Sequence, residues 1–258
     1  MLDLIIFLKY RSVNKLKNQL VNYEVNLNTE QELFNIINQI KTEQTITLRK
    51  MVHEINNILC LINSSLQIIE SSHPETKDFK YWNTTMDDVN HLINLVSEIS
   101  SLNHCDNINL EYINIKLLLS NIIESFTSNS QYSKTIFKLE SDSELPPVRA
   151  DKTKLKQVFI NIIKNALESF NENSITSFVH ISILYLNGNI QIIIKDNGCG
   201  IPPEHLDSIF TPMVSYKENG SGLGLPISKK IIEAHKGTIN VSSSLNLGTA
   251  FTITLPIE

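Results

Sequence analysis

The sequence predicts an α+β protein: an antiparallel helical hairpin that builds a dimeric four-helix bundle, followed by an α/β sandwich. Three observations lead there. Apolar residues recur at coiled-coil spacing through residues 48–96, short β-rich runs follow from Val179 onward, and two glycine-rich turns flank a short loop at 196–225.

At 258 residues, 41% of them hydrophobic, the chain holds one large domain or two modest ones with a buried core. A net charge of -5 with scattered Lys and Arg gives no footprint for nucleic acid, and none is expected as a partner. Cys60, Cys105 and Cys199 form no C-x-x-C pair. That argues against a disulfide framework or a zinc site, and for a reducing, cytoplasmic setting.

The run from Met1 to Tyr10 is apolar for about eight residues and carries Asp3, whereas a membrane-spanning helix needs about twenty. It also lacks the leading positive charge of a secretory signal. Residues 1–44 are therefore expected to be a helical segment with no transmembrane span and no recognisable sensor domain. A stub that follows a membrane segment stays open as a reading.

Leu48, Val52, Ile55, Leu59, Ile62, Leu66 and Ile69 follow at intervals of 4, 3, 4, 3, 4 and 3, the a/d stripe of a coiled coil. Ser71-Ser72-His73-Pro74-Glu75 then breaks the helix. A second stripe, Trp82, Met86, Val89, Ile93 and Val96, repeats the spacing, and Leu92, Leu95, Ile99 and Leu102 widen it. Two such helices cannot bury both faces alone, which points to a homodimer. A monomeric bundle completed by residues 1–30 is the competing solution.

Asn103-His104-Cys105-Asp106-Asn107 interrupts this pattern and sets a boundary near 104–112. Beyond it, residues 114–126 are amphipathic, and residues 151–170 form a helix with Asp151 as N-cap. Residues 179–186 and 190–195 are strands joined by Asn187-Gly188, a two-residue hairpin turn. Residues 226–235 read as a helix, and 238–241 and 250–255 as two last strands. Helices mixed with an antiparallel hairpin indicate helices covering one face of a sheet.

The glycine turns carry the chemistry. Asp196-Asn197-Gly198-Cys199-Gly200-Ile201 precedes Gly220-Ser221-Gly222-Leu223-Gly224-Leu225. Glycine permits close backbone approach, so bare N–H groups can face phosphates. A leading carboxylate can accept a hydrogen bond from an exocyclic amine such as that of adenine. Either cluster alone is an ordinary turn. Together, in this order, they read as a nucleotide site. Gly224 is followed by Leu225-Pro226, so this is no Walker loop, and the turns lie too late in the chain for a dinucleotide fold. Asn161 and Asn165, four apart, share one helix face. Lys217, in the loop between the turns, can reach phosphates as a mobile cation.

These motifs resemble, over about residues 45–258, a two-component sensor histidine kinase. His53-Glu54-Ile55-Asn56-Asn57 is similar to the H box and Asn161-Ile162-Ile163-Lys164-Asn165-Ala166 to the N box. The two glycine turns resemble the G1 and G2 boxes, and Phe210-Thr211-Pro212 the F box. Gly248-Thr249-Ala250-Phe251-Thr252-Ile253 is similar to the family's last hairpin.

The resemblance implies a dimerisation and phosphotransfer domain at 45–106 and a catalytic ATP-binding domain at 107–258. It implies ATP bordered by Asn161, Asn165, Asp196, Gly198, Gly200, Ile201, Phe210, Lys217, Gly220, Ser221, Gly222, Leu223, Gly224, Leu225 and Thr249, with Mg²⁺ on Asn165. His53 would autophosphorylate and pass the group to a response-regulator aspartate. Glu54 is implied as base or orienter, although adjacent helix positions do not face one another. Asn57 is implied to position a hydrolytic water, giving phosphatase activity. ATPases of the superfamily carry a glutamate where Asn161 stands, and an amide is no base, which favours transfer over hydrolysis. Ile58 stands where many H boxes have proline, so a straighter first helix is expected. The lid between the turns is short and expected to be ordered by nucleotide. His91, His104, His180, His205 and His235 match no motif and read as structural or exposed. Two rival readings remain: a nucleotide-binding adaptor or pseudokinase that transfers nothing, and a serine kinase of the anti-sigma type.

Overall fold

The computed structural model describes residues 30–105, 107–128, 130–132, 134–170, 177–217 and 220–257. The expectations for Met1 to Tyr10, and for the rest of 1–29, fall outside them. The chain divides between Lys50 and Met51 into two compact units. In the first, residues 30–50 are helical, with Thr47 Oγ1 donating back to Glu43 O at 2.9 Å.

Helix α1 spans Glu30–Ser72 as one element, with no break at Ile58. It stops where the sequence requires. His73 precedes Pro74, which disfavours helical geometry and removes a donor. A short 3₁₀ turn, Pro74–Asp78, leads into α2, Trp82–Asn103. Glu70 locks this end of the hairpin, accepting from Trp82 Nε1 at 3.2 Å and pairing with Lys77 Nζ at 2.9 Å. Val52, Leu59 and Val96 pack with Ile93 and Ile99 between the helices. Leu66 is half-buried, and the other members of the α1 stripe face outward: Leu48 is 42%, Ile55 48%, Ile62 42% and Ile69 42% exposed. A single hairpin thus buries one edge of each stripe and leaves an apolar band uncovered.

After α2 come β1 (Glu111–Ile113), α3 (Ile115–Thr127), β2 (Thr135–Ser141), β3 (Val148–Ala150) and α4 (Lys152–Glu168). They are followed by β4 (Ser177–Leu186), β5 (Asn189–Asp196), the short α5 (Pro203–Leu206), α6 (Gly224–Ala234), β6 (Thr238–Ser244) and β7 (Gly248–Pro256). One sheet runs β2-β4-β5-β7-β6, with β2 parallel to β4 and the other pairs antiparallel. A separate ribbon pairs β1 with β3.

The inner face of the sheet is a ladder of branched side chains. Ile181 opposes Ile194, Ile183 opposes Ile192, Ile192 opposes Ile253, and Ile190 opposes Leu255, all essentially buried. Branched residues suit a pleated surface and align across strands. Leu118, Leu119 and Ile122 of α3, Leu155, Phe159 and Ile163 of α4, and Ile231 of α6 belong to the same buried cluster. That makes a two-layer sandwich. The Asn187-Gly188 turn has φ of 51° and 76°, the conformation whose twist matches a hairpin. β2 and the β1–β3 ribbon were not anticipated. β2 alternates half-buried and exposed residues, and β1 and β3 are three residues each, too short to show a period.

The connector between the hairpin and the sandwich is packed. Ile99 and Leu102 rest against the sandwich core, and Cys105 is 1% exposed within it. Lys154 Nζ donates to His104 O at 3.2 Å, and Asn109 N–H donates to Asp151 Oδ2 at 2.8 Å. Asp151 caps α4 through Oδ1, which takes Lys154 N–H at 2.9 Å. Its own N–H donates to His235 Nε2 at 2.9 Å, while His235 Nδ1 lies 2.7 Å from Ile231 O. One residue, through its carboxylate and its own N–H, therefore ties connector, α4 and the end of α6.

Burial by itself would raise the Asp151 carboxyl, but N–H donors from Asn109, Lys154 and Thr153 outweigh it and hold it below the ordinary value. A lowered carboxyl stabilises the fold above its unfolded pKa, and that contribution is lost as pH falls through the folded value. Asp151→Ala should therefore lower unfolding stability by about 1–2 kcal/mol at neutral pH. In urea titrations repeated at falling pH, the gap from the parent should narrow as the parent carboxylate protonates.

Candidate functional site

A cavity of about 960 Å³ opens between the outer side of α4, the turn after β5, the loop before α6 and one face of α2. Each wall follows from local sequence. Asn161, Asn165 and Glu168 recur at intervals of 4 and 3 along α4, so all three present one side of the helix to the cavity.

Asp196 ends β5 and is 4% exposed. Its Oδ1 takes Gly198 N–H at 2.8 Å, Thr249 N–H at 3.2 Å and Ser169 Oγ–H at 3.4 Å. Oδ2 takes no hydrogen bond from the described residues, and so remains the acceptor available to a ligand. A Cβ on Gly200 would stand 2.1 Å from Ser244 O, so only glycine lets this turn lie against the β6–β7 connection. Asn246 N–H then donates to Cys199 O at 2.7 Å and Ile201 N–H to Ser243 Oγ at 2.8 Å.

The described residues 211–217 and 220–222, running into the second glycine turn, make local bonds of their own. Met213 N–H donates to Gly222 O at 3.0 Å. Gly222 has φ +66°, and a Cβ there would meet the Val214 backbone at 2.6 Å. Tyr216 stacks on His205 with centroids 3.5 Å apart, and its hydroxyl lies 2.8 Å from Ser208 Oγ. Lys217 Nζ donates to Asn165 Oδ1 at 2.9 Å and to Glu168 Oε2 at 2.6 Å. The sequence aimed this lysine at phosphates; the structure seats it on α4.

Asn161 Nδ2 donates to Gly224 O at 3.2 Å, joining α4 to the start of α6. Gly200, Ile201, Gly220, Ser221, Gly222, Gly224, Leu225 and Thr249 line the cavity. Gly198, Phe210 and Leu223 do not. Gly198 supports Asp196, Leu223 is 2% exposed in the core, and Phe210 packs on the core with Lys229 Nζ 5.4 Å from its ring centre. His53, Glu54 and Asn57 lie elsewhere, exposed on α1. Asn57 Nδ2 is 3.2 Å from His53 Nδ1. A partner at Nδ1 leaves Nε2 facing solvent, and an amide can serve either tautomer by turning its oxygen or its nitrogen to the ring.

Several cavity residues carried no sequence signal. Ser169 donates to Asp196 from beyond the end of α4, and His91, Asn94 and Glu98 of α2 stand with Leu95 on the facing wall. His91, read from the sequence as structural or exposed, is exposed and borders the cavity. The whole is suited to a nucleotide: a buried carboxylate acceptor at one part, glycine-rich backbone near the N-terminus of α6, and amide oxygen on α4. Asn165 Oδ1 already holds a cationic group, the Lys217 ammonium, so it fits a hard metal ion that prefers oxygen.

Residues 150–258 match the family of histidine kinase-, DNA gyrase B-, and HSP90-like ATPases. Sporulation kinase C of Bacillus subtilis (strain 168) is 30% identical over 209 residues, covering 81% of this chain and 48% of the relative. The chain spans about half the length, or less, of such curated relatives. Among solved structures, the catalytic domain of histidine kinase ThkA is 31% identical with a TM-score of 0.52, covering 57% of this chain and 95% of that domain. Histidine kinase ThkA in complex with the response regulator protein TrrA aligns at 26% identity and TM-score 0.58, covering 88% of this chain and 64% of that one.

Burial raises the Asp196 carboxyl above its ordinary value, against the opposing pull of its donors Gly198, Thr249 and Ser169. A raised carboxyl favours the fold below the unfolded pKa, and that advantage is lost as pH rises through the folded value. The charge at neutral pH is therefore a cost to folding. Asp196→Asn keeps an oxygen for the three donors and should melt higher at pH 7, where about 1 kcal/mol reads as ~2–4 °C in a chain of this size. Calorimetry at decreasing pH should show the gain disappear.

Proposed function

The chain belongs to the histidine kinase family, and on that premise we propose that it is an Mg-ATP-dependent protein-histidine kinase of a two-component system. It phosphorylates His53 and passes the phosphoryl group to an aspartate of a response-regulator receiver domain. The observation that carries this is the pairing, in one chain, of an exposed helical histidine beside an amide with a carboxylate-ended, glycine-lined cavity on a separate fold. ThkA bound to its response regulator supports the partner class.

In this reading Asp196 Oδ2 accepts the exocyclic amine of adenine, giving base selectivity. Backbone N–H groups of Ser221, Gly222 and Gly224, at the N-terminus of α6, receive the phosphates. Asn165 would hold Mg²⁺, which would neutralise phosphate charge. Asn161 has no basic atom, so it activates no water, and ATP is retained for transfer. Neutral His53 offers a ring lone pair to the γ-phosphorus; the N–P bond forms as the bond to the β-phosphate oxygen breaks and ADP leaves. Glu54 orients or deprotonates the imidazole. Attack by the regulator aspartate then breaks the N–P bond.

Residues 45–106 act as the dimerisation and phosphotransfer domain and 107–258 as the catalytic domain, with 1–44 leading into them. The exposed band of Ile55, Ile62 and Ile69 supports a homodimer in which a second copy completes a four-helix bundle. No helix among the described residues is long and apolar enough to cross a membrane. With the three cysteines free, a cytoplasmic setting fits.

Incubation with γ-labelled ATP and Mg²⁺ should give an acid-labile, base-stable phosphoprotein. Acid-stable label would instead indicate a serine kinase, and nucleotide binding without label an adaptor. His53→Ala should abolish the label yet keep nucleotide affinity, because acceptor and cavity share no residue. Label persisting at parent level on that variant would remove His53 from its role.

Asn57→Ala should slow loss of label from a phosphorylated cognate regulator while leaving autophosphorylation largely intact. Asn57 lies one helical turn from His53, so a docked regulator presents its phosphoaspartate to both. The amide can orient a water there by donating and accepting. A neutral imidazole interconverts its tautomers without help, so the kinase step needs the amide little. Dephosphorylation rates measured with ADP present decide; equal rates for parent and variant would leave Asn57 a surface residue.

A further inference from the structure

Lys217 Nζ is shared between two oxygens of α4, Asn165 Oδ1 at 2.9 Å and Glu168 Oε2 at 2.6 Å. The two acceptors are three residues apart, hence one turn apart on the same face, and both line the cavity. An amide oxygen beside a carboxylate is a donor set for a hard divalent cation as much as for an ammonium. Resting on the nucleotide reading of the cavity, we propose that Asn165 and Glu168 form one cation site for which Lys217 is a built-in, displaceable counter-ion. Mg²⁺ arriving with nucleotide would take the site and release the lysine from it.

Three physical points support the exchange. First, two cations within hydrogen-bonding distance of the same oxygens repel, so metal and ammonium exclude each other. Second, the lysine is held weakly enough to leave. The Lys217 and Glu168 side chains are 44% and 56% exposed, and ion pairs so exposed are weak and screened. Third, Glu168 turns a negative charge toward the space where phosphates would lie. Unless a cation covers it, that charge opposes their binding, so Glu168 makes nucleotide affinity depend on a cation.

The lysine is also delivered by a tethered loop. Its neighbour Tyr216 is stacked on His205 and lies within hydrogen-bond reach of Ser208, and Lys217 N–H donates to Ser215 Oγ at 3.2 Å. Release of the ammonium therefore frees the Lys217 side chain while Tyr216 keeps the neighbouring backbone anchored.

The test is a pair of variants with opposite expected signs, read by titration of a fluorescent ATP analogue in EDTA and then with Mg²⁺ at fixed nucleotide. Glu168→Gln should bind metal-free nucleotide several-fold more tightly and require several-fold more Mg²⁺ for half-saturation. Lys217→Met should bind metal-free nucleotide more weakly, because the Glu168 charge is uncovered, and should half-saturate at lower Mg²⁺. Half-saturating Mg²⁺ that is unchanged in both, or shifted the same way in both, overturns the proposal. A parent protein that binds no nucleotide at any Mg²⁺ concentration overturns the nucleotide reading instead, so the two failures are distinguishable.

Discussion

The Asp196 carboxylate is the constraint around which the sandwich is organised. Its Oδ1 collects donors from three separate segments: the turn that follows it, the start of β7 and the residue just past α4. A buried carboxylate without such donors is strongly disfavoured, so the three segments are held to one another by the need to satisfy it. The same network leaves Oδ2 for something outside the protein. The acceptor that recognises a ligand is thus aimed by the bonds that keep the fold together. Burial raises the carboxyl, a cost that these donors offset only in part.

A second consequence concerns separation. The nucleotide-like cavity is built mainly from the sandwich, whereas His53 and Asn57 stand on α1, whose buried contacts are with α2. In the proposed function the phosphoryl group passes between these two parts, and the fold sets how they are joined. The lower end of α2 is fixed to the sandwich through Ile99, Leu102, Cys105 and the Lys154–His104 bond. Its middle, by contrast, contributes His91, Leu95 and Glu98 to an open cavity wall. Rearrangement should therefore pivot just past the end of α2, where Lys154 holds His104 O and Asp151 holds the Asn109 N–H in place of a continuous helix.

Much of this was legible because certain positions admit few residue types. Gly222 must take a positive φ against the Val214 backbone, Asp151 must cap a helix, and Asn187-Gly188 must turn a tight hairpin. Constraints of that kind act over a few residues and leave a local mark. The heptad stripes were legible for the same reason, since helical period is local. β2 left no such mark: it is a strand because β4 lies beside it, and its mixed polarity reflects a sheet edge.

The sequence by itself determined the order of elements, the two patterns of periodicity and the residue types able to meet a nucleotide and a phosphoryl group. Only the tertiary structure decided which of those residues share a space. It drew Ser169 and Thr249 to Asp196, put α2 across the cavity, kept Phe210 and Leu223 in the core, and seated Lys217 on Asn165 and Glu168. The reason is range. Turn and helix preferences are settled by neighbours a few positions away. The partner of a buried carboxylate or a lid lysine is set by tertiary packing, which brings together residues about fifty positions apart, Thr249 and Asp196 in the core and Lys217 and Asn165 at the cavity surface.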